Sequence, residues 1–321
     1  MSISIIIPTF SRPKLLKKAL ESVVKSKDVK DFEIIVIDDS VDDSSAKNSK
    51  ICKEFQPNCD IRYIKNKENK GANYCRNLGA KMSKKKYLAF LDDDDEFESC
   101  KLHYQLNTIQ RENVVAVYCG VSLVFKEVLL TEITPSDEGD LTRKILFHEN
   151  GLNAGSTLMI EKDVFLDIGG FDESLPRMQD WDFLINFFQK GYKISCLSIP
   201  LSKINTDFHF STRSPEKTAI AVLYILSKYD KLLKSFSLQD RKKIKRINFR
   251  LVAVLFAAKL DVVNSLIWIK KAYGLHFYLK PRAYYILFSA LNNRYQLKMR
   301  ILYLYKLMLV FFKKRFCFGN S

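Results

Sequence analysis

The first hundred residues alternate short apolar β runs with helical segments, and the loops after three of those β runs carry the turn residues and acids of a site. Ser2–Ile7 is an apolar run stopped by Pro8, and Lys14–Val24 has Leu15, Leu16, Ala19, Leu20, Val23 and Val24 at helical spacing. A buried strand at Glu33–Ile37 leads into Asp38-Asp39-Ser40. There follow a polar helix near Ser44–Phe55, a strand at Ile61–Ile64, a helix at Ala72–Met82 and a strand at Tyr87–Leu91. This order predicts an α/β domain with a mostly parallel central sheet flanked by helices. In such sheets ligands sit outside the carboxyl ends of the strands. Pro8-Thr9, Asp38-Asp39 and Asp92–Asp95 are therefore expected to converge on one crevice.

Further along, a strand-rich stretch from Val114 to Phe125 precedes a loop at Pro135–Asp140 and a short helix near Leu141–Phe147. Asn153-Ala154-Gly155-Ser156-Thr157 leads into a strand at Leu158–Ile160, Gly169–Glu173 is a turn, and Asp180–Lys190 is a helix ended by Gly191. Beyond Ser211 strand-like alternation stops and the pattern is helical. The expected division is a catalytic domain over 1–211 and a basic helical region over 212–321.

Charge supports that division. The chain has 321 residues and a formal net charge of +16, but 212–321 holds 23 Lys and Arg against 4 Asp and Glu. The first 211 residues are close to neutral, with 29 basic and 32 acidic side chains. A hydrophobic content of 47% excludes a disordered or collagen-like chain. No apolar run approaches the ~18 residues of a spanning helix, and the N-terminus lacks the basic and apolar regions of a signal peptide. Seven scattered cysteines without a C-x-x-C pair point away from a disulfide framework or zinc site and toward a reducing cytoplasm.

The run Asp92-Asp93-Asp94-Asp95-Glu96 packs five carboxylates after a strand, which favours a hard divalent cation; a solvated acidic turn is the alternative. Asp38-Asp39 can accept hydrogen bonds from a base or a ribose, while one of the pair caps the next helix. Asp180 and Asp182 open a helix two residues apart, so only one is expected to face the crevice; complementing the helix dipole is the other reading. No glycine-rich phosphate cradle is present, so phosphates must be held by a cation and by basic or hydroxyl side chains.

Taken in order, Ile5–Arg12, Glu33–Ser40, Asn69-Lys70-Gly71-Ala72-Asn73-Tyr74-Cys75-Arg76-Asn77-Leu78-Gly79, Tyr87–Asp95, Gly169–Glu173 and Gln179-Asp180-Trp181-Asp182 resemble the family 2 inverting glycosyltransferases of the GT-A fold, in particular those of bacterial cell-surface polysaccharide assembly. The resemblance covers about residues 1–210. It implies that Asp39 bonds the nucleotide base and that Pro8, Thr9, Arg12, Asp38, Arg76, Asp92 and Asp93 line the nucleotide-sugar site. Asp92 and Asp94 would hold Mn2+ or Mg2+, and Asp180 would be the catalytic base. Gly155, Ser156, Gln179 and Trp181 would lie on the acceptor side. His209 is a further candidate near the cation or diphosphate, with a structural histidine as the alternative. Gln179 stands where the family usually has Glu, which removes an acceptor-side carboxylate and bears on sugar or acceptor preference; Ser40-Val41 stands where it has Gly-Ser, which alters a loop without deleting the base-binding Asp39.

The implied partners are a nucleotide-diphospho-sugar donor, a UDP-sugar foremost, and a glycan or lipid-linked acceptor. A sugar-phosphate nucleotidyltransferase is the alternative enzyme, but Pro8–Pro13 is not the glycine- and basic-rich loop it needs. A non-catalytic nucleotide-sugar module needs no base at Asp180, and a nucleic-acid binder fits the net charge alone. Residues 262–321 hold 11 Lys and Arg, no acid, and interleaved aromatic and aliphatic residues. That pattern suits an anionic membrane surface rather than nucleic acid, with a solvated helical bundle as the alternative. The expected location is the inner face of the cell membrane, attached peripherally.

Overall fold

The computed structural model describes residues 2–26, 29, 31–57, 59–149, 154–206 and 214–274. The chain divides into two compact units, Met1–Thr212 and Arg213–Ser321. His209, the expected boundary segment 211–213 and the basic stretch 275–321 lie outside the described residues.

The first unit contains the strands β1 (Ile3–Thr9), β2 (Phe32–Asp38), β3 (Asp60–Lys65), β4 (Tyr87–Phe90), β5 (Glu96–Phe97), β6 (Ala116–Phe125), β7 (Val128–Ile133), β8 (Met159–Glu161) and β9 (Ser195–Asn205). Its helices are α1 (Pro13–Val24), α2 (Ser44–Phe55), α3 (Ala72–Met82), α4 (Lys101–Glu112), α5 (Thr142–Leu146), α6 (Lys162–Ile168) and α7 (Gln179–Gln189). The strands form one sheet in the order β3-β2-β1-β4-β8-β6-β9-β5, with β7 paired to β6.

The parallel character belongs to the N-terminal half, where β3, β2, β1 and β4 run together. Beyond β4 the sheet is mixed: β8 is antiparallel to both β4 and β6, and β9 is parallel to β6. The first half is built by crossover helices, which return the chain in the same direction.

Strand periodicity sorts the core. Ile34 and Val36 of β2 join Ile5, Ile7, Leu16, Leu20 and Val23 on one side, while Ile35 and Ile37 pack with Cys75 and Leu78 of α3 on the other. All seven residues of β1 are buried, as a strand covered on both faces requires. Close approach of α3 to β1 depends on Gly79, where an added Cβ would lie 2.5 Å from Ile6 Cγ2.

The second unit contains α8 (Pro215–Lys228), α9 (Asp230–Ser235), α10 (Leu238–Ala258) and α11 (Val262–Tyr273). Three of these helix starts, those of α8, α10 and α11, carry side-chain caps: Ser214 accepts from Lys217 N–H, Ser237 from Asp240 N–H and Asp261 from Asn264 N–H. Helices α10 and α11 pack through Trp268 against Phe249, and Ser265 Oγ donates to Ala253 O at 3.0 Å. Lys242, Lys243, Lys245 and Arg246 stay exposed along α10. No helix among the described residues is long and apolar enough to cross a membrane.

Candidate active site

Register brings the acidic loop to the end of β1. Strand β4 stops opposite Ile6, and Leu91 N–H donates to Ile6 O at 3.0 Å, so Asp92–Asp95 rises beside Pro8 and Thr9. A cavity of about 280 Å³ opens there, lined by Pro8, Thr9, Arg12, Asp39, Arg76, Asp92, Asp93 and Asp94, together with Phe10, Ala72 and Cys75.

The four aspartates divide the work. Asp93 and Asp95 fasten the loop. Asp93 accepts from Thr9 Oγ1 at 2.8 Å and Arg12 Nη1 at 3.2 Å, and Asp95 accepts from Ser156 Oγ at 2.6 Å and Asn205 N–H at 3.2 Å. Asp92 and Asp94 line the cavity, each against an arginine: Arg76 Nη2 to Asp92 Oδ1 is 2.5 Å and Arg12 Nη1 to Asp94 Oδ2 is 3.0 Å. Burial, with the neighbouring Asp94 and Asp92 charges, pushes Asp93 up to about 6, although Arg12 and the Thr9 hydroxyl oppose it. Burial and the same neighbours raise Asp95 well above the usual carboxylate range. Such a cluster is short of positive charge.

Among the described residues no group of three or more acids, histidines or cysteines is set to enclose a metal ion. Two carboxylates beside an open cavity nevertheless fit Mg2+ or Mn2+, which are commonly held by one or two carboxylates with substrate phosphates completing the shell. The Nε of buried Arg76 has no hydrogen-bond partner.

Asp38 and Asp39 part company where β2 ends. Asp39 lines the cavity, its carboxylate already accepting from Asn66 Nδ2 at 2.8 Å, Lys70 N–H at 2.9 Å and Gly71 N–H at 2.7 Å. A carboxylate has about four acceptor positions, so one is left for a ligand. Asp38, expected beside Asp39 at the nucleotide-sugar site, is fully buried, accepts from Ser40, Asn48 and Tyr63, and is not among the residues lining the cavity. Its role is to pin the end of β2 to α2 and β3.

Helix α3 carries Asn73, Arg76 and Asn77 on one face, at the i, i+3 and i+4 spacing of helix neighbours. Asn77 Oδ1 accepts from Phe171 N–H at 2.9 Å, and its Nδ2 donates to Phe171 O and Glu173 Oε1, both at 2.8 Å. Asn73 Nδ2 donates to Asp172 O at 2.9 Å and Leu175 O at 3.0 Å. These two asparagines tether the turn leading to α7. Their tethering was missed from sequence, although both stand in the segment that carries the Arg76 match. Asn77→Ala is expected to orphan a buried backbone N–H and cost about 2 kcal/mol. A denaturant midpoint within error of wild type would contradict this.

Past that turn, Met178 takes a left-handed backbone, φ 60°, and α7 starts with Gln179-Asp180-Trp181-Asp182. Burial raises the Asp180 pKa, while the Trp181 N–H and its own backbone N–H, followed by the Arg76 and Arg177 charges, hold it down. Asp182 is buried in the core, so Asp180 is the more accessible of the two. The Trp181 ring meets His148 edge-on, with centroids 4.3 Å apart. Ser156, expected on the acceptor side, is fully buried, bridging Asp92 N–H, Asp95 and Ser202. Gly155 is buried beside it.

Residues 4–169 match the family model described as glycosyl transferase family 2. The chain belongs to that family. A glycosyltransferase of uncharacterised specificity from Haemophilus influenzae is 28% identical over 68% of this chain and 71% of its own length. The amylovoran biosynthesis glycosyltransferase AmsB of Erwinia amylovora is 25% identical over 66% of this chain and 71% of its own. Several Rickettsia glycosyltransferases are matched over only 18–58% of their length. In fold, this glycosyltransferase is similar to S. aureus TarS in complex with UDP-GlcNAc, with a TM-score of 0.59, 16% identity and coverage of 84% of this chain and 91% of TarS 1-349. It is also similar to the mannosyltransferase PcManGT of Pyrobaculum calidifontis in complex with GDP-Man and Mn2+, with a TM-score of 0.56, 13% identity and coverage of 90% and 84%. The architecture is thus the GT-A fold.

Proposed function

We propose that this glycosyltransferase moves a sugar, with inversion, from a nucleoside diphospho-sugar to a hydroxyl of a glycan or lipid-linked glycan. The observation that carries the reading is the convergence of Asp39, Arg76, Asp92 and Asp94 on one cavity at the carboxyl ends of β1, β2 and β4. Asp39 has one acceptor position left for a base N–H, which suits the uracil of a UDP-sugar; a neighbour of the same fold was solved with UDP-GlcNAc. Pro8 and Thr9 line the same cavity, and Arg12 and Arg76 supply positive charge for a diphosphate.

Asp92 and Asp94 would hold Mn2+ or Mg2+, which when bound supplies neutralisation of charge on the departing diphosphate. Asp180 takes the proton of the acceptor hydroxyl as that oxygen bonds to the anomeric carbon and the bond from that carbon to the diphosphate breaks. No general acid is needed, because a nucleoside diphosphate leaves as an anion. Gln179 and Trp181 flank Asp180 and would meet the acceptor. The product glycoside should carry the anomeric configuration opposite to the donor's, read from the anomeric proton coupling. Retention would reject inversion.

The AmsB relative supports a polysaccharide setting. The exposed basic face of α10 and the acid-free stretch 262–321 support contact with an anionic membrane surface, where each basic residue contributes about 1 kcal/mol. Co-sedimentation with anionic vesicles should be strong at low salt and weakened by deleting 295–321. Unchanged binding after that deletion would count against the membrane reading.

A further inference from the structure

Both carboxylates assigned to the cation are already paired with a guanidinium. Arg76 donates to Asp92 and Arg12 donates to Asp94. Arg76 is only 5% exposed, lies 5.6 Å from the Phe171 ring centroid, and leaves Nε without an acceptor. A guanidinium does not give up its proton, so its buried charge must be balanced by neighbours. Here Asp92 balances it, with Asp180 contributing. Two cations cannot share one carboxylate without repelling each other. The orphaned Nε leaves Arg76 short of an acceptor that Asp92 does not supply.

Resting on the reading that Asp92 and Asp94 hold the metal, we infer that Arg12 and Arg76 stand in for the divalent cation until the donor binds, and then exchange their carboxylates for its diphosphate. Metal alone must break an arginine–carboxylate pair without bringing the arginine a new anion, although Arg12 keeps its second bond, to Asp93. Metal together with a nucleotide diphosphate gives each arginine a new anion. The two ligands therefore bind with positive coupling, and the arginines are its source. A purely structural Arg76 would, on removal, weaken both ligands. A simple donor contact would leave the affinity for metal alone unchanged.

The test is titration of Mn2+ into the full-length chain, following free Mn2+ by electron paramagnetic resonance, with and without saturating UDP. Arg76→Gln should bind Mn2+ alone roughly three- to tenfold tighter than wild type, the range expected when a partly exposed charge-assisted hydrogen bond stops competing. Its affinity for UDP in the presence of Mn2+ should fall, shrinking the coupling. Because Arg76 is buried, Arg12→Gln serves as the second variant: Arg12 is 39% exposed, and the change in both titrations should have the same signs. Mn2+ affinity unchanged or weakened in both variants would overturn the inference while leaving the metal site intact. A wild-type chain that binds no Mn2+ even with UDP would overturn the metal reading and the inference with it.

Discussion

Asp180→Asn is expected to reduce transfer by about 10²- to 10⁴-fold, the range for loss of a positioned general base, while UDP binding in Mn2+ stays within about twofold. Asparagine keeps the size of the side chain and its place in the first turn of α7 but cannot take a proton. The same residue sets a pH signature. Burial raises its pKa above the ordinary 3.8, and only the ionised form can act as base. As pH falls, kcat should therefore drop on a limb lying above that of an unperturbed aspartate, and this limb should vanish from the residual rate of the Asn variant. Near-wild-type turnover in Asp180→Asn would reject the assignment.

The acidic loop gives the second large effect, because its alternate residues face different partners. Asp94→Ala should weaken metal-dependent UDP binding by at least about 100-fold, since even outer partners of metal ligands are worth 10- to 100-fold. Its pair with the partly exposed Arg12 contributes only about 0–1 kcal/mol, so the loss of stability should be smaller than that of Asp95→Ala. The latter change removes the acceptor of the fully buried Ser156 hydroxyl, at about 1–3 kcal/mol, together with the Asn205 N–H bond. Calorimetric titration and thermal melts of the two variants separate a ligand from a fastener. Equal losses of binding and stability in both would contradict the division of roles.

The half of the fold that holds the site was readable because its signals are local. Ile34–Ile37 is a continuous apolar run, as a strand covered on both faces must be, and the acids that follow mark its carboxyl end. Strand β5, with two residues, and β9, which carries Pro200 and follows a register shift at Gly120, lack such a signature; long-range pairing creates them. The site shows the same limit. Asp38 and Asp39 diverge where β2 ends, and which one lines the cavity is decided by Asn48 and Tyr63, which claim Asp38. Ser156 follows a glycine in a turn, which reads as an exposed loop. Its burial comes from Asp95 and Ser202, 61 and 46 residues away in sequence. Asn73 and Asn77 are on the correct helical face by spacing alone, yet the turn they tether lies nearly a hundred residues on.

The measurement closest to the central claim is release of free nucleoside diphosphate from a panel of nucleotide sugars by the full-length chain, with and without a chelator. The account predicts release from at least one donor, a UDP-sugar foremost, that stops on chelation and returns with Mn2+ or Mg2+. Release that persists in full after chelation would contradict the roles given to Asp92 and Asp94. Absence of release from every donor, together with no binding of UDP in Mn2+, would contradict the assignment of the cavity itself.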